Sequence, residues 1–236
     1  MAEKEGWRAV ILDLDQLILR TEYIRFQAWN IVLREFRIKG MSRREYMERC
    51  VGKSIYDEIA PKLIADRKSD AWPEILGREV YDKTEELFEK RGIKKMPLAT
   101  AALDLFYAHF NGKLGVCSGK NEEKLRQKLE KAKIKKYFPE KYWAPRDKFG
   151  GKAKPDPSPY LGACRLLGVE PAECIVFEDS LDGVLSAKRA GCFVVGMPSN
   201  WNRHQTPQIS EIADRTFFHG WKSFLSLGLS NFIEEY

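Results

Sequence analysis

Two acids stand one residue apart in the stretch "AVILDLDQLILRTE", at Asp13 and Asp15. They fall where an apolar run of strand character should be finishing. A carboxylate in that setting is costly unless it finds a partner or a task. Two further apolar runs end in the same way. "KLGVCSGK" runs into Ser118 and Gly119, and "CIVFEDSLDG" runs into Glu178 and Asp179. Lys154 precedes a proline-rich turn, "KPDPSPY". In open parallel sheets, ligands bind outside the carboxyl ends of the strands. Four carboxylates, one lysine and one hydroxyl are therefore expected to converge at one rim. At an effective dielectric of ~20, two unit charges 4 Å apart repel by roughly 4 kcal/mol. A hard divalent cation relieves that repulsion, and Mg²⁺ is the natural choice, held by carboxylates and by phosphate oxygens. Lys154 can neutralise an anionic group there. Ser118 can donate to a phosphate oxygen, a bond to a charged acceptor being worth about 1.5–3 kcal/mol.

The elements that must position these groups follow from hydrophobic patterning. Short apolar runs, "RAVILDL", "KLGVCS", "CIVFED", "CFVVGM" and "RTFF", are separated in the later chain by helix-like segments. That alternation predicts a parallel sheet with helices on both faces. Residues 21–96 break it. Trp29, Val32, Leu33 and Phe36 fall at helical spacing, as do Leu76, Val80 and Leu87 on a long charged helix ending near Gly92. Ser42 with Glu45 reads as a capping box, and Ser54 with Asp57 as a weaker version of it. An all-helical insertion is thus expected after the first strand, with Pro97 marking the return of the sheet. Asn121, and Ser158 with Pro159, read as helix starts. A final strand near Thr216–Phe218 and a short helix close the chain. The expected organisation is a core of residues 1–20 and 97–236 with a helical domain over 21–96.

The chain has 236 residues, enough to bury roughly 70–75% of its unfolded surface without disulfides or a structural metal. A formal charge of +6 favours anionic ligands, and phosphorylated metabolites account for it. The five cysteines form no C-x-x-C pair and read as free thiols of a reducing compartment. No secretory h-region and no run of membrane-spanning length appear, so a cytoplasmic location is expected, with no membrane partner. "YFPEKYWAPRDKF" interleaves aromatics with basic residues, a pattern of nucleic-acid stacking. A strand edge beside the sheet is preferred for it, and nucleic acid is disfavoured as a partner. The basic run "KLEKAKIKK", Lys128–Lys136, reads as a solvated helix face. His109, His204 and His219 show no metal-ligand spacing, and Leu103, Phe106 and Phe110 read as core.

The ordered motifs "DLDQL", "VCSGK", "KPDPSPY" and "FEDSLDG" resemble those of the haloacid dehalogenase-like hydrolase superfamily. The helical insertion is similar to its bundle-type cap, and "VGKS" at residues 51–54 is similar to a cap segment of the branch holding β-phosphoglucomutase and small sugar-phosphate phosphatases. The resemblance covers essentially the whole chain. It implies a Rossmann-like core with an inserted helical cap, and Mg²⁺-dependent hydrolysis of a small phosphorylated metabolite. Asp13 would be the nucleophile, forming an aspartyl-phosphate and ligating Mg²⁺. Asp15 would be general acid and then base, its carbonyl a metal ligand. Asp179 would complete the shell, with Glu178 acting directly or through water. Ser118, Gly119 and Lys154 would hold the phosphoryl oxygens.

This chain departs from the family pattern at several positions. Gln16 and Leu17 replace the usual Gly and Thr or Val. If Gln16 needs a positive φ, that costs ~1–2 kcal/mol. A later Asp is Arg20, the cap His of the mutase branch is Arg25, and "LATA" follows Pro97 in place of Gly-Val. Arg20, Arg25 and Lys53 are candidate substrate contacts; solvated charges explain them equally well. Two alternatives to a phosphatase stay open. One is a phosphomutase, which Arg25 argues against. The other is a non-catalytic phosphometabolite-binding or interaction protein, which Gln16 and Leu17 alone support. A monomer or weak dimer is expected.

Overall fold

The computed structural model describes residues 6–53 and 55–235. The chain divides into two compact units, one of residues 1–20 and 94–236, the other Thr21–Ile93. The first is built on a six-stranded, all-parallel sheet. Its opening strand is β1 (Ala9–Asp13). The chain then leaves for the second unit, described below, and returns through α5 (Ala99–His109). There follow β2 (Leu114–Ser118), α6 (Glu122–Lys131), β3 (Trp143–Pro145) and α7 (Ser158–Leu167). Next come β4 (Cys174–Glu178), α8 (Leu181–Ala190), β5 (Phe193–Gly196) and α9 (Thr206–Ile212). The unit closes with β6 (Arg215–Thr216), α10 (Trp221–Leu227) and α11 (Leu229–Glu235).

The spatial order is β3-β2-β1-β4-β5-β6. The chain builds outward from β1 to β3, then crosses back to lay β4 against the other side of β1. Strand order reverses there, so the carboxyl ends of β1, β2 and β4 border the switch point. Register brings the ends together: Asp13 lies beside Cys117, and Leu12 beside Phe177.

Both faces of the sheet are covered, which is why β1 and β4 read as unbroken apolar runs. Alternate residues divide between the faces. Ile11, Cys117, Val176 and Val194 pack with Tyr160, Cys164 and Leu167 of α7 and Val184 and Ala187 of α8. On the opposite face, the Phe177 ring lies 5.0 Å from Phe106 of α5, 5.4 Å from Trp221 and 5.2 Å from Phe224 of α10. Each such fully buried side chain contributes about 1.5–3 kcal/mol. The fold is therefore a Rossmann-like α/β sandwich with an inserted all-helical segment.

That inserted unit holds α1 (Glu22–Glu35), α2 (Arg43–Arg49), α3 (Ala60–Arg67) and α4 (Pro73–Arg91), with a π-type turn at Ile55–Ile59. No strand occurs among its described residues. Trp29, Val32 and Leu33 of α1, and Leu76, Val80 and Leu87 of α4, are buried at the predicted helical spacing. Phe36 falls outside this pattern, because α1 has ended and Phe36 is its C-terminal cap. Ser42 caps α2, its hydroxyl accepting the Glu45 N–H at 3.1 Å. Ser54 lies outside the described residues, and so does the start signal assigned to it with Asp57. The unit boundary falls at Ile93–Lys94 because the next residues pair with the chain after β1. Arg20 N–H donates to the Lys94 carbonyl at 2.8 Å, and Met96 N–H to that of Ile18 at 2.7 Å.

Helix α7 starts at Ser158 as expected, with Pro159 second, and Asp156 accepts the Ser158 N–H at 2.8 Å. Two boundaries elsewhere differ from expectation. The last strand is only Arg215–Thr216, because Phe217 and Phe218 turn towards α10. The expected single C-terminal helix is a pair, interrupted at Gly228, whose φ is +84°.

Candidate active site

The carboxyl ends of β1 and β4 supply the centre of the site. Asp13, Glu178 and Asp179 each offer an oxygen, and these atoms lie within 4.8 Å of one another. Lys154 joins them. Its ammonium donates to Asp13 Oδ1 at 2.7 Å and to Glu178 Oε1 at 2.5 Å, and sits 4.9 Å from the centre of the Tyr160 ring. The loop before α7 holds Lys154, so the proline-rich turn and the first strand meet here, 141 residues apart in sequence.

Glu178 is fully buried. Oε1 accepts from Lys154 and from the Tyr160 hydroxyl at 2.6 Å. Oε2 accepts from the N–H of Asp179 at 3.0 Å, and from the N–H and hydroxyl of Ser180 at 3.2 and 3.1 Å. Such saturation is what allows a buried charge to stand. It also explains Gly183 in the first turn of α8. A Cβ there would lie 1.9 Å from the Glu178 carboxylate. Ser180 caps the same helix, its hydroxyl accepting the Gly183 N–H at 3.2 Å. Asp179 is held from a different loop. Buried Asn202 donates to Asp179 Oδ2 at 2.7 Å and to the Asp179 carbonyl.

Charge and burial set the protonation of the cluster. Burial pushes the Asp13 carboxyl up to about 7; Lys154 pulls against that shift, and Glu178 and Asp15 add to it. Burial works against the Lys154 ammonium, yet Asp13 and Glu178 outweigh it and hold its pKa well above the usual lysine value. With all three acids ionised, three negative charges face one positive, a surplus of two. Hard oxygen donors with a surplus of two negative charges suit a divalent cation of the Mg²⁺ type.

The other expected residues are distributed as follows. Ser118 is buried at the end of β2, its hydroxyl accepting the Lys120 N–H at 3.2 Å, and Gly119 has open space where a side chain would stand. Asp15 is not among the three clustered acids. Both its oxygens accept from Lys128 of α6, at 2.5 and 2.7 Å. Lys128 is buried, so the reading of Lys128–Lys136 as a solvated face fails at its first residue. Helix α6 points Leu125, Lys128 and Leu129 inward, and the lysine finds an acid there. Gln16 has φ +65° and is buried, so a non-glycine residue occupies the left-handed region beside the site.

Arg20 is exposed in the first unit. Arg25 and Lys53 belong to the second. Arg25 is bonded to Glu22 at 2.5 Å, and Glu22 accepts the Tyr46 hydroxyl at 2.6 Å. Lys53 is exposed, donates to the Glu48 carbonyl at 3.1 Å and lines a cavity of about 120 Å³ with Arg49 and Lys62.

The aromatic-basic stretch forms edge strand β3, and its Trp143 is fully buried. The Trp143 indole donates to the Phe138 carbonyl at 2.8 Å, and the Arg126 guanidinium covers the ring at 5.0 Å. That ring is no open platform for a base. All five cysteines are free and buried. Among the described residues, no helix is long and apolar enough to cross a membrane.

A family model described as haloacid dehalogenase-like hydrolase matches residues 10–197. The chain belongs to that family. As a haloacid dehalogenase-like hydrolase it is an enzyme, and its relatives include phosphatases. It is 28% identical over 183 residues to the phosphorylated carbohydrates phosphatase of Thermotoga maritima, covering 78% of this chain and 81% of that protein. It is 56% identical over 46 residues to validoxylamine A 7'-phosphate phosphatase of Streptomyces hygroscopicus subsp. limoneus. That match spans only 20% of this chain and 22% of that phosphatase. A crystal structure of a hydrolase of this family from Deinococcus radiodurans R1, with bound phosphate and sodium, superimposes with a TM-score of 0.77. It is 24% identical, covering 97% of each chain, a likeness of fold.

Proposed function

We propose that this hydrolase is a Mg²⁺-dependent phosphatase acting on a small phosphorylated metabolite, of the sugar-phosphate class, through an aspartyl-phosphate on Asp13. The observation that carries the proposal is Lys154 bridging Asp13 and Glu178 beside Asp179 at the switch point. The similarity to the phosphorylated carbohydrates phosphatase of Thermotoga maritima supports the substrate class.

In this reading an Asp13 oxygen attacks phosphorus, and the bond from phosphorus to the ester oxygen breaks. Asp15 delivers a proton to that leaving oxygen. Asp15 then takes a proton from water as the water oxygen attacks phosphorus, and the bond to Asp13 breaks to release phosphate. This is covalent catalysis with electrostatic clamping. Lys154 offsets charge on Asp13 and on the transferring group, and Ser118 with the backbone at Gly119 holds phosphoryl oxygens. Asp13, Asp179 and the Asp15 carbonyl would hold Mg²⁺, with Glu178 behind them. Bound Mg²⁺ supplies neutralisation and alignment of the anionic group. Substrate selection is assigned to Arg25 and Lys53 of the inserted helical unit and to Arg20 of the first unit, as the positions to vary.

A phosphatase is preferred to a phosphomutase because Arg25 stands where the mutase branch carries His, and it is bonded to Glu22. The test is a panel of sugar phosphates and other phosphate esters with Mg²⁺, comparing the wild type with Asp13→Asn. Phosphate release is expected from the wild type alone, with a base-labile phosphoryl group isolated on Asp13. No turnover above the Asn variant sinks the proposal. Interconversion of sugar phosphates without net phosphate release replaces it with the mutase.

A further inference from the structure

Helix α6 is densely charged, yet Lys128 occupies the inward face between Leu125 and Leu129. A buried ammonium is costly without a partner. Lys128 meets that demand on Asp15, its ammonium bonded to both carboxylate oxygens at 2.5 and 2.7 Å. The Lys128 side chain is 6% exposed and that of Asp15 22%.

The backbone around Asp15 is fixed as well. Gln16 N–H donates to the Leu19 carbonyl at 2.7 Å, and Asp15 bridges to Leu19. Rotation of the Asp15 side chain is therefore the freedom left to its carboxylate. In this arrangement both oxygens lie on α6, outside the group formed by Asp13, Glu178 and Asp179. Turning an Asp15 oxygen from α6 towards that group would break at least one of its bonds to Lys128.

We propose that Lys128 is a positioning residue that restrains Asp15, holding its carboxylate on α6 and slowing the departure of leaving groups that need a proton. The inference rests on the phosphatase reading. Its signature is a dependence on leaving group. An alkyl sugar phosphate needs a proton on its departing oxygen, whereas p-nitrophenyl phosphate departs without one. The ratio of their kcat/KM values reports phosphoryl transfer to Asp13 and no later step.

The experiment compares wild type, Lys128→Met and Lys128→Arg with Mg²⁺, using p-nitrophenyl phosphate and the best alkyl ester of the panel. In the Met variant the alkyl-to-aryl ratio is expected to rise about tenfold, the scale of one charge-assisted hydrogen bond. The Arg variant restores the wild-type ratio. Lys128→Gln carries the same expectation as Met and replaces it if the Met variant does not fold. In crystals of the folded variant, the Asp15 carboxylate is expected to leave α6. An unchanged or lower ratio, or an Asp15 carboxylate still lying on α6, overturns the restraint while leaving the phosphatase reading intact. A wild type that hydrolyses no ester overturns both.

Discussion

Lys154 and Lys128 are both lysines turned into the first unit, and they face different charge balances. Lys154 serves two acids at once in a group of three, at 2.7 and 2.5 Å. Lys128 grips both oxygens of one acid. The first arrangement leaves a surplus of negative charge once Asp13 ionises. The second sets one ammonium directly against one carboxylate. The contrast teaches where the molecule demands something from outside. The surplus beside Lys154 is what the proposed cation would neutralise, whereas the proposed role of Asp15 requires its pair with Lys128 to open.

The largest test of that contrast is Lys154→Met. It strands buried carboxylates, and a loss of about 3–5 kcal/mol of stability is expected in urea unfolding. A loss below 1 kcal/mol would mean that the cluster is solvated and the contrast empty.

Next comes the metal. At a Mg²⁺ concentration 100-fold above Kd, the wild type should gain about 2.7 kcal/mol. For a chain of this size that is a rise of about 5–10 °C in Tm. Asp13→Asn should lose most of the gain. The pH dependence has a defined sign. Asp13 is raised from 3.8 to about 7. Between about pH 4 and 7 the unfolded chain has released this proton and the folded chain keeps it, so metal-free stability falls as pH rises. Asp13→Asn should flatten that slope. The gain from Mg²⁺ should grow over the same range, because the ion competes with the proton. Calorimetry at a series of pH values measures both, and a wild type with no slope would remove the charge argument.

Gly183→Ala sharpens the picture of Glu178. The added methyl collides with a carboxylate fixed by five donors, and a loss of about 1–3 kcal/mol is expected from chemical denaturation. A neutral result would show that Glu178 can move. The smallest effect is expected for Lys128→Met, about 1 kcal/mol or less by the same measurement. Asp15 is partly exposed and water can replace its partner. A loss as large as that of Lys154→Met would erase the distinction between the two lysines.

Much of this architecture was legible in the sequence where a residue stood out of place. Asp13, Ser118 and Glu178 terminate apolar runs that otherwise contain no polar group, and three strands of the sheet end at them. Lys128 was hidden for the opposite reason. It sits in a run where charge is ordinary, and only its spacing between Leu125 and Leu129 marks it as inward. Asn202 gave no signal at all, since its role depends on how the loop after β5 folds back to Asp179. Tyr160 carried a faint one, as an aromatic in the first turn of α7 that also reaches Glu178. The helical unit was legible through periodicity. Its edge was displaced because hydrogen bonds between residues 94–96 and 18–20 are tertiary, and no local propensity announces them.

The pairing of Leu12 with Phe177 has one more consequence. Side chains alternate across a strand, so sliding β4 by a single residue would turn Phe177 out of its aromatic nest and swing Glu178 to the wrong face. A mispaired sheet would lose its packing and its chemistry in the same step. Assembly of the hydrophobic layers thus proofreads the active centre, and no correctly packed but misaligned form of this enzyme is available to the chain.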